Sequence, residues 1–171
     1  IGTQINFKYK EMIGLMPLFA MNICGYKRIM ELSSKSYLEN DGLTEPHCDF
    51  AELIKNNTGM AIFSGTIDGL IGKLFNKGKY QDIIEIYSSL KSNYKDRFYI
   101  EIQRHGDINE KAFEKYNLHK SNDLNIPIIA TQEVYYLDKN MYEAHDALIC
   151  IGNKTYVNEK NRKRFTNQHY L

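Results

Sequence analysis

The sequence predicts an α/β domain with a largely parallel sheet. Strand-like and helix-like patterns alternate along most of the 171 residues, and strand–helix–strand spacing is typical of parallel strand pairs. A hydrophobic fraction of 43% is enough for a sizeable core and excludes a disordered chain. Because no repeat or composition shift marks a boundary, we expect one domain or most of one.

Charge and cysteine content exclude several classes of protein. The 22 Lys and Arg nearly balance 21 Asp and Glu, which argues against a polybasic arm that binds nucleic acid. The longest uncharged stretch, Met12 to Tyr26, is too short and too interrupted to span a membrane. Three cysteines without a CxxC pair favour a reduced, cytosolic compartment over a disulfide framework.

The first elements follow from local patterns. Residues Thr3–Tyr9 alternate polar and apolar side chains, which predicts a half-buried strand, and the apolar run Leu15–Met21 predicts a buried one. Asn22 can cap a helix. A loop over Glu39–His47 and a short helix over Phe50–Lys55 come next. The apolar face of the first helix is predicted to carry Tyr26, Ile29, Met30 and Tyr37.

The remaining chain continues the alternation. A strand is predicted over Gly59–Ser64, a short helix over Gly69–Phe75, and the clearest helix over Lys79–Leu90, where apolar residues recur at helical spacing. The later elements are the strand Arg97–His105, the helix Asn109–His119, the strand Ile126–Thr131 and the helix Asn140–Ile151. We expect one face of the last helix to carry Met141, Ala144, His145, Leu148 and Ile149.

Two strand ends carry the residues best placed for chemistry, because functional groups gather at the carboxyl ends of parallel strands. On the first, a period of two places Tyr99, Glu101, Gln103 and His105 on one polar face, as in a barrel wall with a polar lumen. His105 is placed like a ligand or a base, although a histidine there is more often structural. Glu101 is expected to pair with a cation such as Arg104 or a lysine.

On the second strand end, Thr131, Glu133 and Tyr135 share a face. Tyr135 and Tyr136 are most simply packing aromatics, and His145 a satisfied core histidine. The sequence contains no phosphate loop, dinucleotide fingerprint, HExxH or nucleophile elbow. The residues judged to suggest no function are His47, Cys48, His119 and His169.

Two segments together carry a specific resemblance. The stretch YIEIQRHGDINE (Tyr99–Glu110), followed by IPIIATQEVYYLDKNMYEAHDALICIGNKT (Ile126–Thr155), resembles the PHP (polymerase and histidinol phosphatase) domain of the bacterial DNA polymerase III alpha subunit. Weaker matches in the same order are Ile1–Phe7, Leu18–Tyr37, Gly59–Gly65 and Arg164–Leu171.

The resemblance implies a distorted TIM-like (β/α) barrel of the PHP type, with a metal cluster at the strand ends. The family's His-x-His segment would lie before Ile1, and the polymerase palm, fingers and thumb would follow Leu171. We therefore expect residues 1–171 to form a partial PHP domain, incomplete at its N-terminal end.

The resemblance also implies a degenerate metal site. Gln4 stands where the family has a metal-bridging glutamate, and Glu133 and Tyr135 stand where it has an Asp-x-His pair. Only His105 keeps the expected ligand type. A neutral amide supplies no charge to hold two cations together, and a tyrosine replaces an imidazole only if it ionises. We therefore predict no catalytic, cofactor-binding or metal-ligating residue in this segment.

By the same resemblance, the parent protein would be the replicative DNA-directed DNA polymerase, a cytoplasmic nucleotidyltransferase that uses Mg²⁺. The segment alone would be inactive and would support the rest of the alpha subunit. Replisome partners such as the proofreading exonuclease and the sliding clamp, and DNA itself, would be contacted through the parent. The alternatives are a metal-dependent phosphoesterase or exonuclease of the PHP superfamily and a decayed gene remnant.

Overall fold

A mixed six-stranded sheet with helices against it forms the framework of the protein. The structure is a computed structural model that describes residues 1–40, 42–162 and 164–171. The strands are β1 (Gly2–Tyr9), β2 (Met12–Ala20), β3 (Cys48–Asp49), β4 (Met60–Phe63), β5 (Phe98–Ile102) and β6 (Ile128–Ala130). The helices are α1 (Ile23–Leu38), α2 (Ala51–Lys55), α3 (Leu70–Asn76), α4 (Tyr80–Tyr94), α5 (Ile108–Leu124) and α6 (Tyr142–Asn153).

The strand order is β3-β1-β2-β4-β5-β6, and the strand directions are mixed. β1 pairs antiparallel with β2, which is also antiparallel to β4, whereas β1–β3, β4–β5 and β5–β6 are parallel. The α/β class is confirmed, but the prediction of a largely parallel sheet is wrong in its first half. A two-residue turn at Lys10 and Glu11 joins β1 to β2, and so short a connection permits only an antiparallel pair.

The closed barrel that the resemblance implied is not found in the part of the chain that the structure describes. β3 and β6 lie at opposite ends of the strand order, so the sheet is open. The short strand β3 was not predicted. It follows the predicted loop Glu39–His47, of which Asp41 lies outside the described residues.

Period-two alternation divides the strands into a core face and a second face. On the core face, Phe7, Met16, Ile62 and Phe98 are fully buried, and they form one cluster with side chains of α1 to α5. The second face carries Gln4, Phe19, Phe63 and Glu101 among others, none of which belongs to that cluster. The polar side chains at the strand ends therefore lie away from the core.

Local capping explains where two of the helices begin. Asn22 Oδ1 accepts hydrogen bonds from the backbone N–H groups of Cys24 and Gly25 at 3.0 and 3.1 Å, as predicted for the start of α1. α5 begins with a reciprocal capping box between Asp107 and Glu110. The predicted apolar face of α1 is wrong at Met30 and Tyr37, which are exposed.

Glycine allows α1 to approach the sheet closely. A β-carbon at Gly25 would lie 1.9 Å from the carbonyl oxygen of Gly59, far inside van der Waals contact. Gly59 itself has a φ of +72°, in the left-handed region that favours glycine. The start of α1 therefore rests directly on the backbone that leads into β4.

α6 lies outside the main core. Of its predicted apolar face, Met141, Ala144 and Leu148 are exposed, whereas the buried residues of the helix are Asp146 and Cys150. The predicted apolar face is therefore not the buried face. Of the other cysteines, Cys48 is buried and Cys24 is exposed. Within the described residues, no helix has both the length and the apolarity needed to cross a bilayer.

Candidate functional site

A cleft of about 660 Å³ runs along the second face of the sheet. Its lining comes from β1, β2, the end of β5, the segments that follow β4 and β6, and Phe165. We call it the open-face cleft, defined by Gln4, Phe19, Asp68, Glu101, Gln103, Thr131, Glu133 and Tyr135. The sequence-predicted residues Gln4, Glu101, Glu133 and Tyr135 are thus brought together. His105 instead lines an adjoining cavity of about 180 Å³, which Glu133 also borders.

Glu101 is the most buried acidic group of the open-face cleft. Its Oε1 accepts hydrogen bonds from the Thr131 hydroxyl and, at 3.4 Å, from the Gln103 amide. Its Oε2 is buried without a hydrogen-bond partner among the described residues. Burial raises the pKa of Glu101, against the lowering effect of hydrogen bonds from Thr131, Gln103 and the Gly65 backbone.

The predicted pairing of Glu101 with Arg104 is wrong. Arg104 binds Glu114 instead, with its Nη2 2.6 Å from Glu114 Oε1. The reason is geometric: β5 ends at Ile102, so the period-two alternation stops before Arg104. The Arg104 side chain therefore reaches α5 and not the cleft.

His105 is the centre of a hydrogen-bonded cluster that ties three segments together. Its Nε2 accepts the backbone N–H of Glu133 at 3.1 Å, which places the ring proton on Nδ1, 3.0 Å from Glu110 Oε1. Its backbone N–H donates to Glu110 Oε2 at 2.8 Å, and its carbonyl accepts the Thr166 hydroxyl. Both ring nitrogens are therefore already engaged within the chain.

Three residues of this cluster were missed from the sequence: Glu110, Thr166 and His169. His169 stacks on His105 with ring centroids 4.1 Å apart and planes 5° from parallel, and it lies within an irregular segment that carries no local signal. Glu110 had a signal, because Asp107 and Glu110 have the spacing of a capping box. We call His105, Glu110, Glu133, Thr166 and His169 the His105 cluster.

Tyr135 packs where the sequence predicted a packing aromatic. Its ring stacks on His145 at 5.1 Å and also contacts His169. Burial, aided by a hydrogen bond to Glu133, raises the pKa of Tyr135 well above its ordinary value. The phenol therefore stays protonated at neutral pH and offers a metal ion no anionic oxygen.

The donor set does not fit a multinuclear metal cluster. Gln4 offers a neutral amide, Tyr135 a protonated phenol, and His105 no free ring nitrogen. In residues 1–40, 42–162 and 164–171, no group of three or more His, Cys, Asp and Glu side chains is arranged to hold a metal ion. We therefore derive no step through a metal at this site.

Several known proteins to which the chain is similar have the same name, DNA polymerase III subunit alpha. The chain is 35% identical to the DNA polymerase III subunit alpha of Caulobacter vibrioides over 154 residues, 90% of this chain and 14% of that protein. It is 32% identical to the Rickettsia prowazekii subunit over 99% of this chain and 14% of that protein. The Vibrio cholerae subunit is 28% identical over 100% of this chain and 15% of its own length.

The family assignment rests on a separate match. A model of the PHP domain matches residues 1–105, which include β1 to β5 and the cleft residues Gln4, Asp68 and Glu101. The chain spans only about one seventh of the curated relatives that it matches, 14% of the first two. Since the matched region is more than half of the 171 residues, the chain belongs to the PHP domain family.

Proposed function

We propose that the chain is a PHP segment of a bacterial replicative DNA polymerase alpha subunit and that it acts there as a scaffold with a degenerate metal site. The proposal that the parent protein is an alpha subunit rests on one observation. Alpha subunits from several bacteria match 90% to 100% of this chain. The parent would carry out template-directed DNA synthesis in the cytoplasm with Mg²⁺ held outside these residues.

The scaffold role is supported by how the candidate ligand positions are used. His105 joins the end of β5 to α5, to the Glu133 segment and to residues 164–171 through four hydrogen bonds of its ring and backbone. A histidine bound in this way holds the segments in place and leaves no lone pair for catalysis. The rest of the alpha subunit is the first partner of such a scaffold, and the proofreading exonuclease and the sliding clamp are further candidates.

The scaffold role is tested by metal binding and by phosphoester hydrolysis. The purified chain is titrated with Mn²⁺ or Zn²⁺ by calorimetry and then incubated with p-nitrophenyl phosphate or single-stranded DNA. We expect no stoichiometric binding and no turnover above the metal alone, because Gln4 and Tyr135 offer neutral groups and both ring nitrogens of His105 are engaged.

A matched variant gives the positive control. Gln4→Glu combined with Tyr135→His restores the family's ligand types at two positions, and we expect it to bind Mn²⁺ more tightly than the wild type. Turnover by the wild type that His105→Ala abolishes would overturn the scaffold role in favour of a phosphoesterase.

The identity of the parent protein is tested separately, because it is read from the gene and not from the site. Coding sequence on either side of this segment is expected to supply a His-x-His motif upstream and the acidic motifs of a polymerase palm downstream. An open reading frame limited to these 171 residues would contradict the parentage. A product that aggregates without cooperative unfolding would favour the decayed remnant.

A further inference from the structure

One oxygen of the buried Glu101 carboxylate lacks a hydrogen-bond partner among the described residues. The residue is only 6% exposed, and its Oε2 has no hydrogen-bond partner within the described residues. A buried carboxylate oxygen without a partner is destabilising by several times the net contribution of an ordinary hydrogen bond. Such an oxygen in a folded protein calls for a partner that the described chain does not supply.

The carboxylate of Glu101 faces the open-face cleft. Thr131 and Gln103, the two residues that donate to Oε1, both line this cleft. The charge of Glu133, another lining residue, also acts on the Glu101 carboxyl group. Oε2 itself is covered, so a partner that enters the cleft reaches it after a local shift of the residues that line the cleft.

The charge of the cleft indicates that the partner is positively charged. Asp68, Glu101 and Glu133 line it, and its described lining residues include no Lys, Arg or His. Arg104 pairs with Glu114, and Arg164, which borders the adjoining cavity, pairs with Asp146. An anion would be repelled by these carboxylates, whereas a cation would be attracted to them.

The walls of the cleft favour an organic cation over a metal ion. Phe19 lines the cleft at 36% exposure and packs against Phe63 with ring centroids 4.4 Å apart. The other aromatic residues of the described lining are Tyr135 and Phe165. Aromatic faces beside a carboxylate attract ammonium and guanidinium groups, whereas a divalent ion needs several charged ligands, which no group of described residues offers.

We propose that the open-face cleft binds an organic cation, a primary ammonium or a guanidinium group, which donates a hydrogen bond to Glu101 Oε2 and lays its alkyl part against Phe19. The cation comes either from a free amine or from a lysine or arginine side chain of a polypeptide. The proposal of a cation site does not depend on the scaffold role or on the identity of the parent protein, because it is argued from the Glu101 carboxylate.

The test is an NMR titration of the chain with pentylammonium and pentylguanidinium, with neutral pentanol as the matched control. The readouts are the side-chain carboxyl carbon of Glu101 and the backbone amides of Gln103 and Thr131. We expect saturable shifts with both cations and weaker, unsaturated shifts with pentanol. Equal responses to pentanol and to the cations would overturn the proposal.

Three variants locate the binding. Glu101→Gln is nearly isosteric and is expected to weaken the binding of both cations by about tenfold or more. Glu11→Gln, at the exposed β1–β2 turn, should leave binding unchanged. Phe19→Leu removes an aromatic face from a partly exposed position. If Glu101→Gln fails to fold, the affinity of Phe19→Leu for the cations tests the site instead. Wild-type affinity in Glu101→Gln, or in Phe19→Leu, would overturn the site.

Two further titrations separate the sources of the cation and exclude a metal. A blocked Gly-Gly-Lys-Gly-Gly peptide that binds more tightly than pentylammonium assigns the cation to a polypeptide side chain, and equal affinities assign it to a free amine. Mn²⁺ that saturably broadens the Glu101 signals and displaces pentylammonium would show an inorganic cation site and overturn the proposal.

Discussion

His105 shows how a side chain of ligand type becomes structural. The ring accepts one backbone N–H and donates to one carboxylate, and the backbone of the same residue binds Glu110 and Thr166. The ring nitrogens have no capacity left for a metal ion. The chemical identity of a residue therefore says less about its role than the partners that the fold gives it.

Removal of the His105 ring should lower stability. In His105→Ala, the N–H of Glu133 and the carboxylate of Glu110 lose a buried partner, so we expect the free energy of unfolding in urea to fall by about 1–3 kcal/mol. His119→Ala is the control, because the His119 side chain is 72% exposed and pairs only with Asp123 on the surface. Equal effects of the two variants would contradict the role of the His105 cluster.

His169 makes stability depend on pH. Burial and the adjacent His105 lower the pKa of His169 from its ordinary value of 6.5, so the unfolded chain binds the proton more tightly than the folded one. The free energy of unfolding should therefore fall as the pH drops through about 6.5 and below.

Denaturation at several pH values between neutral and mildly acidic checks this pH dependence. His169→Phe keeps an aromatic ring against His105 and should flatten the acidic part of the profile. His119→Phe should leave that part unchanged. A profile of His169→Phe that follows the wild type would assign the effect to other groups.

Each element was predictable to the extent that its signal is local. The helices over 80–94 and 108–124 and the strands over 2–9 and 60–63 come close to the predictions, because apolar periodicity and caps lie within the elements themselves. The direction of β2 was not predictable from that pattern. Its turn at Lys10 and Glu11 contains no Gly or Asn, although Lys10 adopts a φ of +55°.

Two glycines in helices should respond to alanine in opposite directions. Gly25→Ala would place a methyl group 1.9 Å from the Gly59 carbonyl oxygen, and we expect it to lower the free energy of unfolding by about 3 kcal/mol. Gly152→Ala meets no atom within 4 Å in α6, and better helix propensity should raise that free energy by about 0.5–1 kcal/mol.

Urea denaturation of both variants beside the wild type measures this difference. The close contact between α1 and the segment before β4 is contradicted if Gly25→Ala is as stable as the wild type.

At the scale of the whole molecule, the main core and the open-face cleft lie on opposite faces of one sheet. The continuous hydrophobic cluster extends from Ile5 to Ile126. α6 is held instead by local contacts, notably the ion pair of Arg162 with Asp146 at 2.6 Å and the stacking of His145 on Tyr135. Among the cleft residues, Glu101, Gln103, Thr131, Glu133 and Tyr135 were predictable as strand-end positions, whereas Phe19 and Asp68 were not predicted. The contacts of residues 164–171 with the cleft depend on distant segments.

This distribution predicts unequal protection of the helices against hydrogen exchange. Amides of α4, which contributes Ile83, Tyr87 and Leu90 to the core, should exchange only with global unfolding. Amides of α6 should exchange earlier by local opening. Mass spectrometry of deuterated peptides over 80–94 and 142–153 checks this order, and equal rates would show that α6 belongs to the same cooperative unit.

The three cysteine thiols differ in accessibility, so that one of them can be labelled selectively. Cys48 and Cys150 are buried, and burial raises the pKa of Cys48 to about 11, whereas Cys24 is exposed at the first turn of α1. A maleimide dye should therefore label the native chain at a single position without any engineered mutation. Fluorescence from that dye would follow the separation of α1 from the sheet in real time.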